Sequence, residues 1–308
     1  MSPPSSTIRV RAALAALAVA LILATLFWRG SGAPQAPAGL AVAPTADSTA
    51  LIERGAYLAR AGNCMGCHTE RGGSPYAGGR GIATPFGTVY ASNLTPDEAT
   101  GIGRWSAEDF WQALQQGQSP GGRLLYPAFP YANYSRVQRE DADALYAFLR
   151  SLRPVSRSNT AHELRWPFNT QWALAVWRAL YFKPEPFEPQ AQQSPAYNRG
   201  AYLVQGLGHC SACHAARNAL GASNPLDLAG GLIPMRNWYA PSLTDARQAG
   251  LMDWPEADIV SLLQTGVSPR GSVQGPMAEV VMHSTQHLSP ADLRAMATYL
   301  KALPASPR

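Results

Sequence analysis

The amino-acid sequence predicts an all-α fold made of two tandem domains that share one architecture. A length of 308 residues is typical of about two domains, and several segments of the first half recur in the second half. Apolar residues recur at helical spacing, and no segment shows the two-residue alternation of a strand. The repeat places the first domain at residues 51–153 and the second at 196–308, joined by an aromatic-rich helical linker at 154–195.

The N-terminal residues 1–29 are predicted to form a membrane anchor or a signal. Arg9 and Arg11 precede the uncharged run 12–28, which is at the short limit for spanning a bilayer. Positive charge before the run places the rest of the chain on the periplasmic side of the inner membrane. The chain stays anchored there, or is released if it is cleaved near residues 36–38. Residues 30–50, rich in Ala, Pro, Gly and Ser, are predicted to be a flexible tether.

Each domain has the same five residues, RGAYL, near its start and ends with a helix. The matching segments are residues 54–58 and 199–203, 89–95 and 238–244, and 105–109 and 254–258. The third pair opens a helix in each domain, with Gly117 and Gly266 placed as glycine C-caps. The closing helices are predicted at 140–152 and 289–303, the second with Ser289 as its N-cap.

The linker 154–195 is predicted to contain a short helix. Its aromatic residues are Trp166, Phe168, Trp172, Trp177, Tyr181, Phe182 and Phe187. Trp172, Val176 and Leu180 lie at helical spacing between two prolines. We expect this helix to pack across both domains and fix their orientation, with a partner-docking surface as the alternative.

All four cysteines of the chain lie in two copies of one motif. Residues 64–68 are Cys-Met-Gly-Cys-His, and residues 210–214 are Cys-Ser-Ala-Cys-His. Cys-x-x-Cys-His is the attachment signal of c-type haem, in which both thiols bond to the porphyrin and the histidine ligates the iron. The sequence therefore predicts two covalently bound c-type haems, attached through Cys64, Cys67, Cys210 and Cys213. Disulfides or a four-thiolate zinc site would account for the cysteines but not for the histidine after each pair.

The motif makes His68 and His214 the proximal iron ligands. Methionine is a common sixth ligand, and in the second domain Met277 lies in a loop ahead of the final helix. We expect Met277 to be the axial ligand of the second haem, with Met282 as the alternative. Two further methionines of this domain, expected to pack in the interior, are Met235 and Met252.

The first domain has no methionine at the corresponding position. Alignment of the repeats places Phe129 opposite Met277, and phenylalanine does not ligate iron. We therefore expect the sixth position of the first haem to be open, held by water, or filled from outside the repeat, for example by His162. Loss of the thioether predicts a lower potential for the first haem. The histidines without a ligand pattern, expected in loops or on the surface, are His209, His283 and His287.

The charge pattern argues against a nucleic acid partner. The net charge is +5, and the basic residues, nearly all arginine, are scattered without forming a basic block. A hydrophobic content of 46% with 15% charged residues is typical of a folded chain.

Several segments outside the motifs resemble one family. They are residues 84–87 (TPFG), 93–97 (NLTPD), 125–131 (LYPAFPY), 166–169 (WPFN) and 277–281 (MAEVV). The chain is similar to the multihaem cytochrome c subunits of membrane-bound alcohol dehydrogenase complexes, and to those serving molybdenum-containing aldehyde and N-heterocycle dehydrogenases. The resemblance implies a cytochrome c-like fold in each domain and maps the family's axial methionine onto Met277. It also places Phe129 where the family has methionine.

The same resemblance implies an electron-transfer subunit and not an enzyme on its own. A catalytic dehydrogenase of the quinoprotein or molybdenum type would supply electrons, and quinone, a soluble carrier or a terminal oxidase would accept them. The alcohol dehydrogenase subunits usually carry three haem motifs, whereas this chain has two.

Two other classes of function are open alternatives. A dihaem peroxidase-like enzyme would combine an open first haem with a distal acid or base. Glu140, Asp141 and Asp143 are near in sequence, although they stand at a helix start, where the dipole favours acidic residues. A gas-binding sensor is the third class, and no signalling segment favours it.

Overall fold

The structure is a computed structural model that describes residues 46–304 together with Leu21, Ala24 and Thr25. The predicted anchor 1–29 and tether 30–50 therefore lie largely outside the described residues. Among the described residues, no helix is both long and apolar enough to cross a bilayer. The predicted tether is helical over residues 46–50, because helix α1 begins at Ala46.

The first repeat is mainly helical and contains one β-hairpin. Its helices are α1 (Ala46–Ala61), α2 (Cys64–His68), α3 (Ala107–Gln116), α4 (Tyr131–Tyr134) and α5 (Arg139–Ser151). The hairpin joins β1 (Gly81–Thr84) and β2 (Gly87–Tyr90), with Gly81 opposite Tyr90. The linker adds a short third strand, β3 (Glu163–Leu164), antiparallel to β2, and then forms helix α6 (Gln171–Tyr181).

The second repeat has the same order of helices and two hairpins. Its helices are α7 (Pro195–Tyr202), α8 (Ser211–His214), α9 (Glu256–Thr265), α10 (Pro276–His283) and α11 (Pro290–Lys301). The hairpins are β4 (Gly231–Ile233) with β5 (Trp238–Ala240), and β6 (Val267–Ser268) with β7 (Gly271–Ser272).

The prediction of an all-α fold is wrong for the loops between the helices, which contain these short antiparallel pairs. Strands of two to four residues are too short to show an alternating pattern in the sequence. The first hairpin depends on its turn, where Gly87 has a φ of 128°, a conformation that favours glycine. The Thr84 hydroxyl closes the turn by donating to the Gly87 carbonyl oxygen at 2.7 Å.

The predicted helix ends are confirmed. Helix α3 starts at a capping box, in which Ser106 accepts from the Asp109 N–H and the Asp109 carboxylate accepts from the Ser106 N–H. Gly117 and Gly266 end α3 and α9 in the left-handed conformation. Ser289 caps α11 by accepting from a backbone N–H of its first turn at 3.1 Å.

In each repeat the first helix crosses the last helix at a glycine. Helix α1 packs on α5, and α7 packs on α11. The predicted apolar stripes of the closing helices lie in the two core clusters: Leu145, Phe148, Leu149 and Leu152 in the first, and Leu293, Met296, Ala297 and Leu300 in the second. A Cβ atom on Gly55 would lie 1.9 Å from the Ala144 carbonyl oxygen, and one on Gly200 would lie 1.9 Å from that of Ala295. The close crossing of the helices therefore requires glycine.

We expect Gly200→Ala to lower the free energy of unfolding by roughly 1–3 kcal/mol, because the added methyl group forces the two helices apart. Urea unfolding measures the change. Gly206→Ala is the matched control, since its Cβ would meet only the Arg136 Cβ, at 3.7 Å. Equal stability of the two variants would contradict the tight crossing.

The second repeat has one more residue between its RGAYL segment and its motif than the first repeat has. Arg54 and Cys64 are ten positions apart, whereas Arg199 and Cys210 are eleven positions apart. A π-helical turn, Leu203–Leu207, follows α7 at this point. A π-helical turn takes up one extra residue without ending the helix, so the motif keeps its place relative to the helix.

Helix α6 contacts both repeats, which confirms the expected packing of the linker. Leu174 and Ala175 are buried against Leu124 of the first repeat, and the Trp177 indole N–H donates to the Leu220 carbonyl oxygen of the second at 2.9 Å. The face of α6 that makes these contacts differs from the predicted one, because a polar residue, Arg178, is buried there beside Leu174 and Ala175. Arg178 is buried, with its guanidinium carbon 5.2 Å from the ring centre of Tyr131.

The stripe that the sequence predicted for this contact, Trp172, Val176 and Leu180, is mostly exposed. Trp172 retains 47% of its accessible surface and Leu180 retains 55%, while Val176 is half-buried.

Candidate functional site

Each Cys-x-x-Cys-His motif forms one short helical turn. The turns are α2 and α8, and the residue before each first cysteine, Asn63 or His209, has a left-handed φ of 48° or 37°. A helical turn brings residues i and i+3 to one face, so both thiols of a motif face the same side and the histidine follows at the next position. This arrangement suits a planar group that is covalently bonded to both thiols of the motif.

The alternative explanations of the cysteines find no support. No disulfide joins any two of the four cysteines. Among the residues that the structure describes, no group of three or more histidine, cysteine or acidic side chains is arranged to hold a metal ion. Burial, with a smaller contribution from the neighbouring thiol, raises the pKa of Cys64 and of Cys210 to about 12.

The two motif histidines are oriented in the same way. The Nδ1 atom of His68 donates to the Ser92 carbonyl oxygen at 2.7 Å, and the Nδ1 atom of His214 donates to the Pro241 carbonyl oxygen at 2.7 Å. This hydrogen bond fixes the tautomer and leaves Nε2 as the free lone pair for a metal. Burial lowers the pKa of both imidazoles, which favours the neutral form that ligates iron. The residues present therefore fit a c-type haem in both repeats.

An arginine binds the same backbone carbonyl in each motif. Arg80 donates to the Gly66 oxygen, and Arg217 donates to the Ala212 oxygen, which is the corresponding position of the second motif. Arg80 and Arg217 do not occupy corresponding positions of the two repeats, so alignment of the repeats did not identify these contacts.

Met277 and Met282 lie on different faces of α10. Met277 stands in the first turn of this helix, not in a loop as expected, and packs on the second core cluster. Val281, one turn later on the same face, is buried, whereas Met282 is 52% exposed. The inward face of α10 therefore carries Met277, which favours it over Met282 as an axial ligand.

Phe129 packs inside the first repeat. Its ring centre lies 5.1 Å from that of Tyr134, and it contacts the first core cluster. His162, the outside candidate for the same iron, accepts the Tyr90 N–H at its Nδ1 atom at 3.1 Å and stands edge-on to Tyr126. One of its two nitrogens is therefore engaged in packing the linker onto β2.

The expectation for Met235 is wrong: it is 66% exposed, because it lies in the tight turn between β4 and β5, while Met252 is half-buried. His209 lies in a loop, as expected, and is half-buried. Its ring stands edge-on to Tyr134 of the first repeat, at 5.6 Å between ring centres, and burial lowers its pKa. His287 is exposed and His283 is half-buried.

The two sites interlock. The buried Asn133 amide, four residues after Phe129, donates to the Ser211 hydroxyl inside the second motif at 2.9 Å. In the opposite direction, the Glu279 carboxylate, two residues after Met277, pairs with Arg80 at 2.8 Å, and Arg80 holds the first motif. In each repeat, the segment in which the sixth iron ligand is expected therefore lies against the haem-attachment motif of the other repeat.

One arginine acts on one thiol of each motif. Burial raises the pKa of Cys67 and of Cys213, and the Arg236 guanidinium acts against that rise at both thiols. The two attachment sites are thus close neighbours in the fold.

The sequence indicated the residues of some of these contacts and gave no indication of others. The carbonyl acceptors of the two histidines lie in the matching segments 89–95 and 238–244. Their recurrence marked them as important without indicating why. The ion pair between Arg80 and Glu279 joins residues 199 positions apart, and no local sequence pattern predicts it.

Comparison with known proteins identifies the two repeats. The family model described as cytochrome c matches residues 52–153 and 197–304. The gluconate 2-dehydrogenase cytochrome c subunit of Pantoea cypripedii is 42% identical over 295 residues, covering 92% of this chain and 64% of that protein. The quinone-dependent alcohol dehydrogenase cytochrome c subunit of Gluconobacter oxydans (strain 621H) is 44% identical over 278 residues, covering 87% and 58%.

A diheme cytochrome c-type protein of Cereibacter sphaeroides is 39% identical over 264 residues, covering 83% of this chain and 87% of that protein. The chain thus spans about three fifths of the length of the two dehydrogenase subunits and most of the length of this dihaem protein.

Proposed function

The chain belongs to the cytochrome c family, and on that basis we propose that it is the dihaem electron-transfer subunit of a dehydrogenase complex. It carries two covalently bound c-type haems. The observation that supports the proposal best is the matched pair of sites. Each has two thiols on one face of a helical turn and a histidine whose Nδ1 atom is fixed on a backbone carbonyl.

The haem supplies a one-electron couple between ferric and ferrous iron. In our proposal Cys64 and Cys67 would hold the first haem, and Cys210 and Cys213 would hold the second. His68 and His214 would present Nε2 to the iron, and the hydrogen bond at Nδ1 keeps each ring in one orientation. Met277 would supply the sixth ligand of the second haem, and the first haem would lack a thioether ligand because Phe129 stands at that position.

The interlocked sites support electron transfer from one haem to the other. Electron transfer weakens steeply with distance, so two attachment motifs in one shared interface favour a fast internal step. The order from the first haem to the second is downhill if the first has the lower potential, as the difference in ligands implies.

The partner and the location are parts of the same proposal. Relatives named as cytochrome c subunits of gluconate and alcohol dehydrogenases support a catalytic dehydrogenase, of the quinoprotein or molybdenum type, as the electron donor. We place the chain on the periplasmic side of the inner membrane, held through its N-terminus or released there. Quinone, a soluble carrier or a terminal oxidase accepts the electrons.

A peroxidase-like activity finds no support in the first repeat. The three acidic candidates from the sequence are already engaged or exposed: Asp141 is bound by Arg54 and Tyr202, Asp143 is paired with Arg139, and Glu140 is exposed. An acid or base free to act beside the first iron is therefore missing among these candidates.

A potentiometric titration of the purified protein tests the proposal. We expect two one-electron steps, the lower one without the spectrum of histidine–methionine ligation and the upper one with it. Hydrogen peroxide with a reduced donor should give no catalytic turnover. Two identical histidine–methionine spectra would contradict the ligand assignment, and rapid peroxide turnover would favour the enzyme instead.

A further inference from the structure

Each repeat contains an arginine–aspartate pair that joins its first and last helices, and the aspartate of each pair is buried. In the first repeat the Arg54 Nε atom donates to Asp141 at 2.8 Å. In the second, Arg199 donates to Asp292 from two nitrogens, at 2.8 and 2.7 Å. The Asp141 side chain is only 1% exposed. A carboxylate so deeply buried is costly unless all its lone pairs find donors.

The remaining donor to each carboxylate comes from the other repeat. The Tyr202 hydroxyl of the second repeat donates to the Asp141 Oδ2 atom at 2.6 Å. The Tyr57 hydroxyl of the first repeat donates to the Asp292 Oδ2 atom at 2.6 Å. The two tyrosines occupy the same position of the RGAYL segments, so the exchange is reciprocal.

Each tyrosine oxygen also binds the start of the other repeat's closing helix. The Gln138 N–H donates to the Tyr202 oxygen at 3.2 Å, and the Ser289 N–H donates to the Tyr57 oxygen at 3.1 Å. Backbone N–H groups at a helix start have no partner within the helix. Each hydroxyl therefore satisfies two groups of the opposite repeat, a helix N–H and a carboxylate oxygen.

These contacts act on the helices that lead into the attachment motifs. Tyr57 lies in α1, seven residues before Cys64, and Tyr202 ends α7, eight residues before Cys210. If the repeats separated, both aspartates would lose one of their donors at once. We call the four residues Tyr57, Asp292, Tyr202 and Asp141 the tyrosine clamp.

We propose that Tyr57 and Tyr202 are positioning residues that hold the two haem attachment motifs at one fixed separation. Electron transfer from one haem to the other then requires no motion of one repeat relative to the other. This inference rests on the proposed electron-transfer function only for its effect on the rate of the internal electron step. Its structural effect, that the two repeats form one rigid unit, does not depend on that function.

The test compares the double variant Y57F/Y202F with the natural protein. The substitutions remove only the two hydroxyl groups and keep the rings, including the edge-on contact of Tyr202 with Phe187. Tyr146→Phe is the matched control, because the Tyr146 hydroxyl donates to the Trp105 carbonyl oxygen within one repeat. Each single variant, Y57F and Y202F, is measured as well, so that the test survives if the double variant folds poorly.

Pulsed electron paramagnetic resonance measures the separation of the two ferric haems. We expect a narrow distance distribution in the natural protein and in Y146F, and a broad one in Y57F/Y202F. Each lost hydrogen bond to a carboxylate should lower the equilibrium constant for the closed arrangement by roughly tenfold or more. Thermal unfolding should change from one cooperative transition to two, because the repeats no longer stabilise each other.

Flash reduction followed by absorption spectroscopy measures the internal electron step. We expect a slower and multiphasic step in Y57F/Y202F at unchanged haem content and midpoint potentials. An unchanged distance distribution and a single unfolding transition in the double variant would overturn the clamp. Absence of an internal electron step in the natural protein would overturn the proposed function, while the distance and unfolding results would still decide the clamp.

Discussion

Replacing Cys64 and Cys67 by alanine is expected to give a protein that keeps one haem, the second. Thioether bonds to both thiols are the covalent link, so a motif without them retains nothing through acidified organic solvent. The remaining haem should show the spectrum of histidine–methionine ligation. The reverse variant, C210A/C213A, should keep the first haem and lack that spectrum. Intact mass and the haem-to-protein ratio measure the loss.

A control within the same motif separates attachment from general damage. Met65→Leu changes a residue between the two cysteines and leaves both thiols in place, so it should keep two haems. Loss of a haem should also destabilise the affected repeat, because a domain of this size depends on the haem for part of its apolar core. Two haems retained in both cysteine variants would refute the assignment of the motifs.

Replacing Met277 by leucine is expected to change the second haem in three ways. Its midpoint potential should fall, because the thioether favours the ferrous state. Its histidine–methionine absorption band should disappear, and carbon monoxide should bind where the thioether was. Leucine has a similar volume, so the inward face of α10 remains filled. A redox titration with visible spectra measures all three.

Met282→Leu is the matched control, since this methionine is exposed on the other face of α10. It should leave the potential and the spectrum unchanged. The opposite substitution in the first repeat, Phe129→Met, should raise the potential of the first haem and give it the missing band. If M282L and not M277L abolishes the band, the axial assignment is wrong.

The sequence revealed most of the helices and both attachment motifs because these depend on local order. The capping box at Ser106 and the glycines at 117 and 266 are short-range signals. The β-hairpins had no such signal, since their strands are too short for a period. The exposed stripe of α6 could not be told from its buried face, because Arg178 is buried against the ring of Tyr131, which belongs to another segment.

The sequence also marked residues whose role it could not explain. The RGAYL repeat included Tyr57 and Tyr202, and only the fold showed that each one bonds to the repeat opposite its own. His209 was expected in a loop or on the surface, and only the fold showed that its ring packs on Tyr134 of the other repeat. Contacts between residues more than 60 positions apart depend on how the domains meet, and no periodicity within either domain encodes that.

The sequence by itself determined that this protein has two repeats, each with two thiols and a histidine spaced for one haem, because covalent attachment needs only neighbouring residues. The tertiary structure alone decided which carbonyl fixes each histidine, which face of α10 turns inward and how the two sites interlock. Those outcomes come from the packing of distant helices, where buried charges such as Asp141 must find donors wherever the fold brings them.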